Sequence, residues 1–202
     1  MEKYIEKLLD IVNYENGFYI ECGANDGVTQ SYSYELEKKN WKGILIEPSL
    51  VAFEKCVYNR SSDNIFINCA LVADNKDTIL GDFDGSLMAS VNGERLNRNK
   101  LEQVKSRTLT SILDEHNVNN IDLFSLDVEG YELEVLKGLD FNRYSPKYLL
   151  IEIYSKDYDN IITFLKNYNY ELLMSTTNYN YIDNPQWDGT HNDYLFKNNS
   201  KK

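Results

Sequence analysis

The order of elements along this chain predicts an α/β fold built on a doubly wound sheet. Three observations carry that prediction. Short apolar runs, of the kind buried on both faces of a sheet, alternate with segments of helical period through most of the 202 residues. The first run, FYIEC at 18–22, stops at a turn bracketed by Gly23 and Gly27, and the first strand-to-helix turn of such a sheet is a ligand-binding place. The second run, GILIE at 43–47, ends in an acid. That acid stands about twenty residues past the turn, where a carboxylate takes the hydroxyls of a ribose.

The elements follow in order. Residues 3–15 set Ile5, Leu8, Leu9 and Val12 at helical spacing and predict an amphipathic helix packed on the sheet. The first strand, 18–22, leads through the glycine turn to a crossover helix expected over 29–40, with Glu35 and Lys39 favourably spaced. The second strand, 43–47, leads through Pro48 to a helix that Ser49 can cap and that runs to about 58. IFINCAL at 65–71 reads as the third strand. From 72 to 107 the period lapses among turn formers such as Asp74, Asn75, Asp77, Asp82 and Gly93. So long an irregular stretch reads as a substrate-covering loop or hairpin, or as a mobile surface excursion.

Helical period returns over 108–115, followed by the fourth strand at 121–128 and a helix at 129–137. YLLIEI at 148–153 is the fifth strand, residues 157–168 form a helix, and 170–174 and 194–196 read as two last strands. Residues 198–202 are polar and expected to fray. The length suits a single domain over 1–202.

Composition narrows the function. A net charge of −11 disfavours nucleic acid, whose phosphates are bound by Lys and Arg. Cys22, Cys56 and Cys69 are odd in number and widely spaced, and read as reduced core residues of a cytosol-like compartment. The amino terminus is charged throughout, and no apolar stretch approaches eighteen residues. A cytoplasmic protein with no membrane partner is the expectation.

The glycine turn alone reads either as a plain tight turn or as a cofactor loop. Together with Glu47 it favours a cofactor that carries a ribose. The Gly-x-Gly-x-x-Gly pattern that admits a pyrophosphate is absent, so S-adenosylmethionine, with a ribose and no phosphate, fits better than a dinucleotide. Asp127 and Glu129 stand at the end of the fourth strand as candidate catalytic carboxylates. Their structural alternatives are a hydrogen bond to the turn for Asp127 and a favourable charge at a helix start for Glu129. Glu152 lies inside an apolar strand, where a charge is costly unless paired or in a cleft. With Asp127 it is a candidate ligand for a magnesium-like ion. His191, before the last strand, reads either as a general base or as a packing residue. Asn184, Pro185, Gln186 and Trp187 read as a turn.

Three blocks resemble the FkbM family of S-adenosylmethionine-dependent methyltransferases: ECGANDG at 21–27 with WKGILIEP at 41–48, TLTSILDEHNVNNIDLFSLDVEGYELEVLKG at 108–138, and LLIEI at 149–153. NCAL at 68–71 fits too, and Glu21 stands where the family usually carries aspartate. The resemblance implies a class I methyltransferase (Rossmann-like) sheet, mostly parallel, with a final antiparallel strand inserted beside the fifth. It also implies O-methylation of hydroxyls on sugars or natural products. Carried over by position, the turn of Glu21, Gly23, Ala24, Asn25 and Gly27 holds the methionine end of the cofactor, and Glu47 binds its ribose. Asn68, Cys69 and Ala70 border the adenine, and Asp127 faces the methyl group. The expected partner is a small-molecule or glycan acceptor, with a homo-oligomer left open. A binding module that has lost turnover is the competing reading, and methylation of a protein or small natural product is a third.

Overall fold

The computed structural model describes residues 2–83, 90–91, 101–177 and 189–201. The chain runs through α1 (Glu2–Ile11), β1 (Phe18–Cys22), α2 (Tyr34–Glu37), β2 (Lys42–Ile46), α3 (Leu50–Asn59), β3 (Ile65–Ile67), β4 (Ala70–Leu71), β5 (Thr78–Asp82) and β6 (Leu101–Arg107). It continues through α4 (Leu109–Glu115), β7 (Leu123–Leu126), α5 (Glu132–Lys137), β8 (Tyr148–Tyr154), α6 (Tyr158–Lys166), β9 (Tyr170–Ser175) and β10 (His191–Asn198). The central sheet has the order β3-β2-β1-β7-β8-β10-β9. β1 is parallel to β2 and β7, and β7 is parallel to β8. β10 is antiparallel to both β8 and β9, so the last strand is inserted beside the fifth strand of the sequence reading, β8.

Alternation of side chains along each strand sorts the core into two layers. Ile20, Cys22, Phe124, Leu126, Leu149 and Ile151 face α4, α5 and α6, where Ile112, Leu136 and Ile161 are fully buried. Tyr19, Leu45, Leu123, Leu150 and Leu195 face the other way, against Leu8 of α1, Val12 just after it, Leu36 of α2 and Cys56 of α3. Each of these side chains contributes about 1.5–3 kcal/mol by leaving water. On the second face the pattern breaks near the carboxyl ends of the parallel strands. Glu21, Ser125 and Glu152 there, and Asp193 of β10, occupy positions that the alternation would otherwise fill with apolar residues.

Several elements differ from the sequence expectation. The crossover helix expected over 29–40 is only the four residues of α2. Local side-chain bonds compete with helix across 26–33: Asp26 accepts from the Val28 and Thr29 amides, and Ser31 and Ser33 turn their hydroxyls to Glu21. The run at 65–71 is two strands, because β3 pairs with β2 while β4 pairs with β6 in a separate three-stranded sheet. Within 72–107, β5 and β6 pair antiparallel from Thr78↔Lys105 to Asp82↔Leu101. The helix expected from 129 begins at Glu132, because Glu129 and Gly130 have φ of 56° and 95°. The tail expected to fray from 198 is held through 199: Asn198 is buried and donates to the Lys147 carbonyl, and the Asn199 amide donates to Asn169. The turn read at 184–187 lies outside the described residues. Among the described residues no helix is long and apolar enough to cross a membrane. All three cysteines are buried and unpaired.

Candidate active site

Where the second face of the sheet turns polar and α2 is short, a hollow of ≈ 1020 Å³, counting its open mouth, lies over the ends of β1, β2, β7 and β8. Its floor is residues 21–25, its flank is Glu47 with residues 69–71, and Ser125 to Glu129 and Glu152 close the far end. Phe83, Ser90 and Val91 reach it from the 72–107 segment, where an Asp82↔Ser90 bridge folds that segment back. Ser90 Oγ donates to the Glu129 carbonyl at 2.8 Å.

Gly23 and Gly27 serve different contacts from those the sequence suggested. A Cβ on Gly23, at φ +82°, would lie 1.8 Å from the Asp127 carbonyl oxygen. Its glycine therefore lets β1 and β7 close at their tips, and the Gly23 and Ala24 amides both donate to the Ile46 carbonyl. A Cβ on Gly27 would lie 2.7 Å from Cγ of Arg60, and Gly27 does not line the hollow. Its carbonyl instead accepts from Arg60 Nη1 at 2.8 Å.

Arg60, at the end of α3, is a residue the sequence reading missed. Its guanidinium is fully buried and bonds Glu37 Oε1 at 2.7 Å, Glu21 Oε2 at 3.2 Å, Tyr19 Oη at 2.8 Å and Ser33 Oγ at 2.9 Å. Glu21 lines the hollow, yet its Oε2 also accepts from Ser31 at 2.9 Å and Ser33 at 2.5 Å. Burial pushes the Glu21 carboxyl up, and Arg60 pulls it back. Glu21 thus anchors the 26–33 loop, a task that its position in the motif did not disclose.

Glu47 is buried on the flank. Its Oε2 accepts from the Asn25 amide and its Oε1 from the Ser49 amide, both at 2.8 Å. Burial pushes its carboxyl up to about 7 against the pull of those two amides. A carboxylate has about four lone-pair positions, so two remain for a ligand's hydroxyls. Cys69 and Ala70 border the same flank, while Asn68 does not. Its amide instead donates to the carbonyls of Glu47 and Pro48 at 2.9 and 3.0 Å, fixing the chain behind Glu47.

Acids gather at the far end. One carboxylate oxygen from each of Asp127, Glu129 and Glu152 lies within 4.8 Å of the others. Asp127 is open to water from the hollow although it sits deep in the protein. Its carboxyl is held well above the usual range, first by burial and then by Glu129, Asp193 and Glu132. Glu152 is raised in the same way, by burial and then by Asp127. Asp193, directly across the strands from Glu152, accepts from Tyr32 Oη at 2.9 Å and is pushed up to about 6 by burial. It was missed in the sequence, although an acid in the strand NDYLF carries the same signal that singled out Glu152 in YLLIEI. His191 is not among the residues that line the hollow; its Nε2 lies 3.4 Å from Glu152 Oε1, on the sheet face that also carries Asp193. The structure therefore joins His191 to Glu152.

The model of the methyltransferase FkbM domain matches residues 21–172. The chain belongs to this family. Its fold is that of S-adenosylmethionine-dependent methyltransferases. Fibrillarin from Aeropyrum pernix, solved with bound S-adenosyl-L-methionine, superposes with a TM-score of 0.56 at 12% identity over 91% of this chain and 67% of its own. A TehB-like S-adenosylmethionine-dependent methyltransferase from Corynebacterium glutamicum gives 0.50 at 9% identity over 96% and 87%. No curated protein matches the sequence. The hollow of this FkbM protein suits the methyl donor. It offers a buried carboxylate with free lone pairs at Glu47, an apolar border at Ala70, Leu71 and Phe83, and the half-buried backbone of Gly23 and Asn25 between Glu47 and the acids.

Proposed function

We propose that this FkbM methyltransferase moves a methyl group to a sugar hydroxyl, in a glycan or on a nucleotide-linked precursor. S-adenosylmethionine, when bound, supplies the electrophilic methyl group. Glu47 takes its ribose hydroxyls, Cys69, Ala70 and Leu71 border its base, and the turn at Gly23 to Asn25 adjoins its amino-acid end. The observation that carries the acceptor class is the acidic far end of the hollow. A hydroxyl is a poor nucleophile until its proton leaves, and a carboxylate whose pKa is raised is a stronger base than an ordinary one. Asp127 opens onto the hollow and is raised in that sense. Acids also accept hydrogen bonds from a polyol, and Tyr32, Phe83 and Tyr131 offer ring faces around the same space. A charge of −11 weighs against nucleic acid as the acceptor.

The remaining rate demand is largely positioning. Holding donor and hydroxyl in near-attack geometry supplies about 7–11 kcal/mol. Asp127→Asn keeps the shape and removes the base, so cofactor binding by calorimetry is expected to stay within about threefold. Turnover of labelled cofactor with a sugar panel is expected to fall about 10²–10⁴-fold, the usual contribution of a general base. Unchanged turnover would remove Asp127 from the chemistry. Wild-type protein that binds the cofactor and methylates no sugar, while a protein or small natural product takes the label, would overturn the acceptor class. Cofactor binding with no turnover on any acceptor would favour a module that has lost catalysis.

A further inference from the structure

The acids at the end of the hollow exceed what proton removal requires, and their arrangement is incomplete without a positive group. Glu152 is buried, and its Oε2 has no hydrogen-bond donor among the described residues. An uncompensated buried carboxylate oxygen costs several kcal/mol. Asp127 lies close to it, but two ionised carboxylates have no proton to share. Asp193 stands directly across the strands from Glu152, a like-charge pairing that destabilises a sheet. A shared proton, a protonated His191 beside Glu152 or a bound cation relieves this arrangement.

The outer contacts favour a cation. Glu152 Oε1 is met by His191 Nε2 at 3.4 Å. Glu129 Oε2 accepts from Tyr154 Oη, and Asp193 Oδ2 accepts from Tyr32 Oη at 2.9 Å. Glu152 and Glu129, beside Asp127, are thus each steadied through one oxygen by a group outside the cluster, as the ligands of a metal are. The left-handed backbone at Glu129, with φ 56°, returns that residue toward Asp127 and Glu152 after β7. An all-carboxylate donor set suits hard, oxygen-preferring ions.

We propose that Asp127 and Glu152, with Glu129 beside them, bind a divalent cation of the Mg²⁺ or Mn²⁺ type that holds the acceptor oxygen. The ion would draw that oxygen to the end of the hollow and lower the pKa of its proton. The O–H proton would then pass to a carboxylate oxygen that is not bound to the ion, and the oxygen would keep the electron pair with which it bonds to the methyl carbon, while the bond from that carbon to the sulfonium sulfur breaks and the neutral thioether leaves with its pair. The acceptor role rests on the methyltransferase reading above; the ion site itself does not.

Mn²⁺ is the probe. Its free electron paramagnetic resonance signal is titrated with purified full-length protein at neutral pH, and excess Mg²⁺ is added to compete. Wild type is expected to bind and to release Mn²⁺ to Mg²⁺. Asp127→Asn and Glu152→Gln, close in shape and relieved of repulsion, are expected to weaken binding at least tenfold, and Asp63→Asn on the surface to leave it unchanged. Circular dichroism checks that each variant is folded. Absence of Mn²⁺ binding by wild type, or equal binding by the two cluster variants, would overturn the proposal. A parallel cofactor titration without metal separates the two claims: cofactor binding with no Mn²⁺ site sinks only this one, and the converse sinks only the methyltransferase reading.

Discussion

Gly23 shows how one residue ties local conformation to the site. Its φ of +82° and the 1.8 Å that would separate an added Cβ from the Asp127 carbonyl leave no room for any other side chain. Gly23→Ala combines a left-handed conformation costing about 1–2 kcal/mol with a backbone clash. It is expected to lose more than about 3 kcal/mol in urea denaturation, and a loss under 1 kcal/mol would show that the strand tips can part freely. Glu47→Gln tests the ribose contact. The amide keeps the volume but loses the charge, so cofactor affinity is expected to fall about 10–100-fold, the worth of a charge-assisted bond. Calorimetry checks this, and an unchanged affinity would place the ribose elsewhere. The places of Gly23 and Glu47 at the hollow were legible because each sits at a fixed distance from a recognisable strand end. Those of Arg60 and Asp193 were not, since their partners are remote in sequence: Arg60 bonds Glu21, 39 positions away, and Asp193 bonds Tyr32, 161 positions away.

At the scale of elements, the short helix α2 decides where the hollow lies. The sequence predicted a crossover helix over the whole of 29–40. Ser31 and Ser33 instead turn to Glu21, and Arg60 from α3 locks the arrangement through Glu21, Glu37 and the Gly27 carbonyl. Arg60→Met leaves two acids without their buried cation and is expected to cost about 3–5 kcal/mol. Lys42→Met, which breaks the exposed pair with Asp63, is expected to cost no more than about 1 kcal/mol. Equal losses in thermal or urea melts would contradict the anchoring role. The β5–β6 pairing belongs to the same scale. Its strands were hidden among turn formers, because one face of that small sheet is exposed and the apolar period is faint.

For the whole molecule, the buried acids set the dependence of stability on pH. Glu47 and Glu132 are pushed up to about 7 by burial and Asp193 to about 6, while Asp127 and Glu152 are also raised. Between about pH 4.5 and 7 the folded chain therefore holds more protons than the unfolded one, and stability falls as pH rises through that window. The effect is fully present below the unfolded values and is lost above about 7. The metal-free, cofactor-free protein is expected to be less stable at pH 8 than at pH 5.5 by at least about 1.4 kcal/mol, the equivalent of one unit on one group. Melting curves across that range check it, and a flat or rising profile would show that the acids are compensated in the resting protein.

The sequence by itself determined the family, the doubly wound sheet and the places of the glycine turn, Glu47 and Asp127. These rest on local period and on short spacings that any stretch of chain carries within itself. The tertiary structure alone decided that Asp193 and Glu129 join Asp127 and Glu152, that His191 stands beside Glu152, and that Arg60 holds the loop over the first strand. The pairing of Asp127 with Glu152 was an expectation of the sequence; the addition of Asp193 and His191 beside Glu152 and the grip of Arg60 depend on strand order, on register and on which face each strand end presents. Such quantities are fixed only when β10 slots in beside β8 and the two layers of helices close on the sheet.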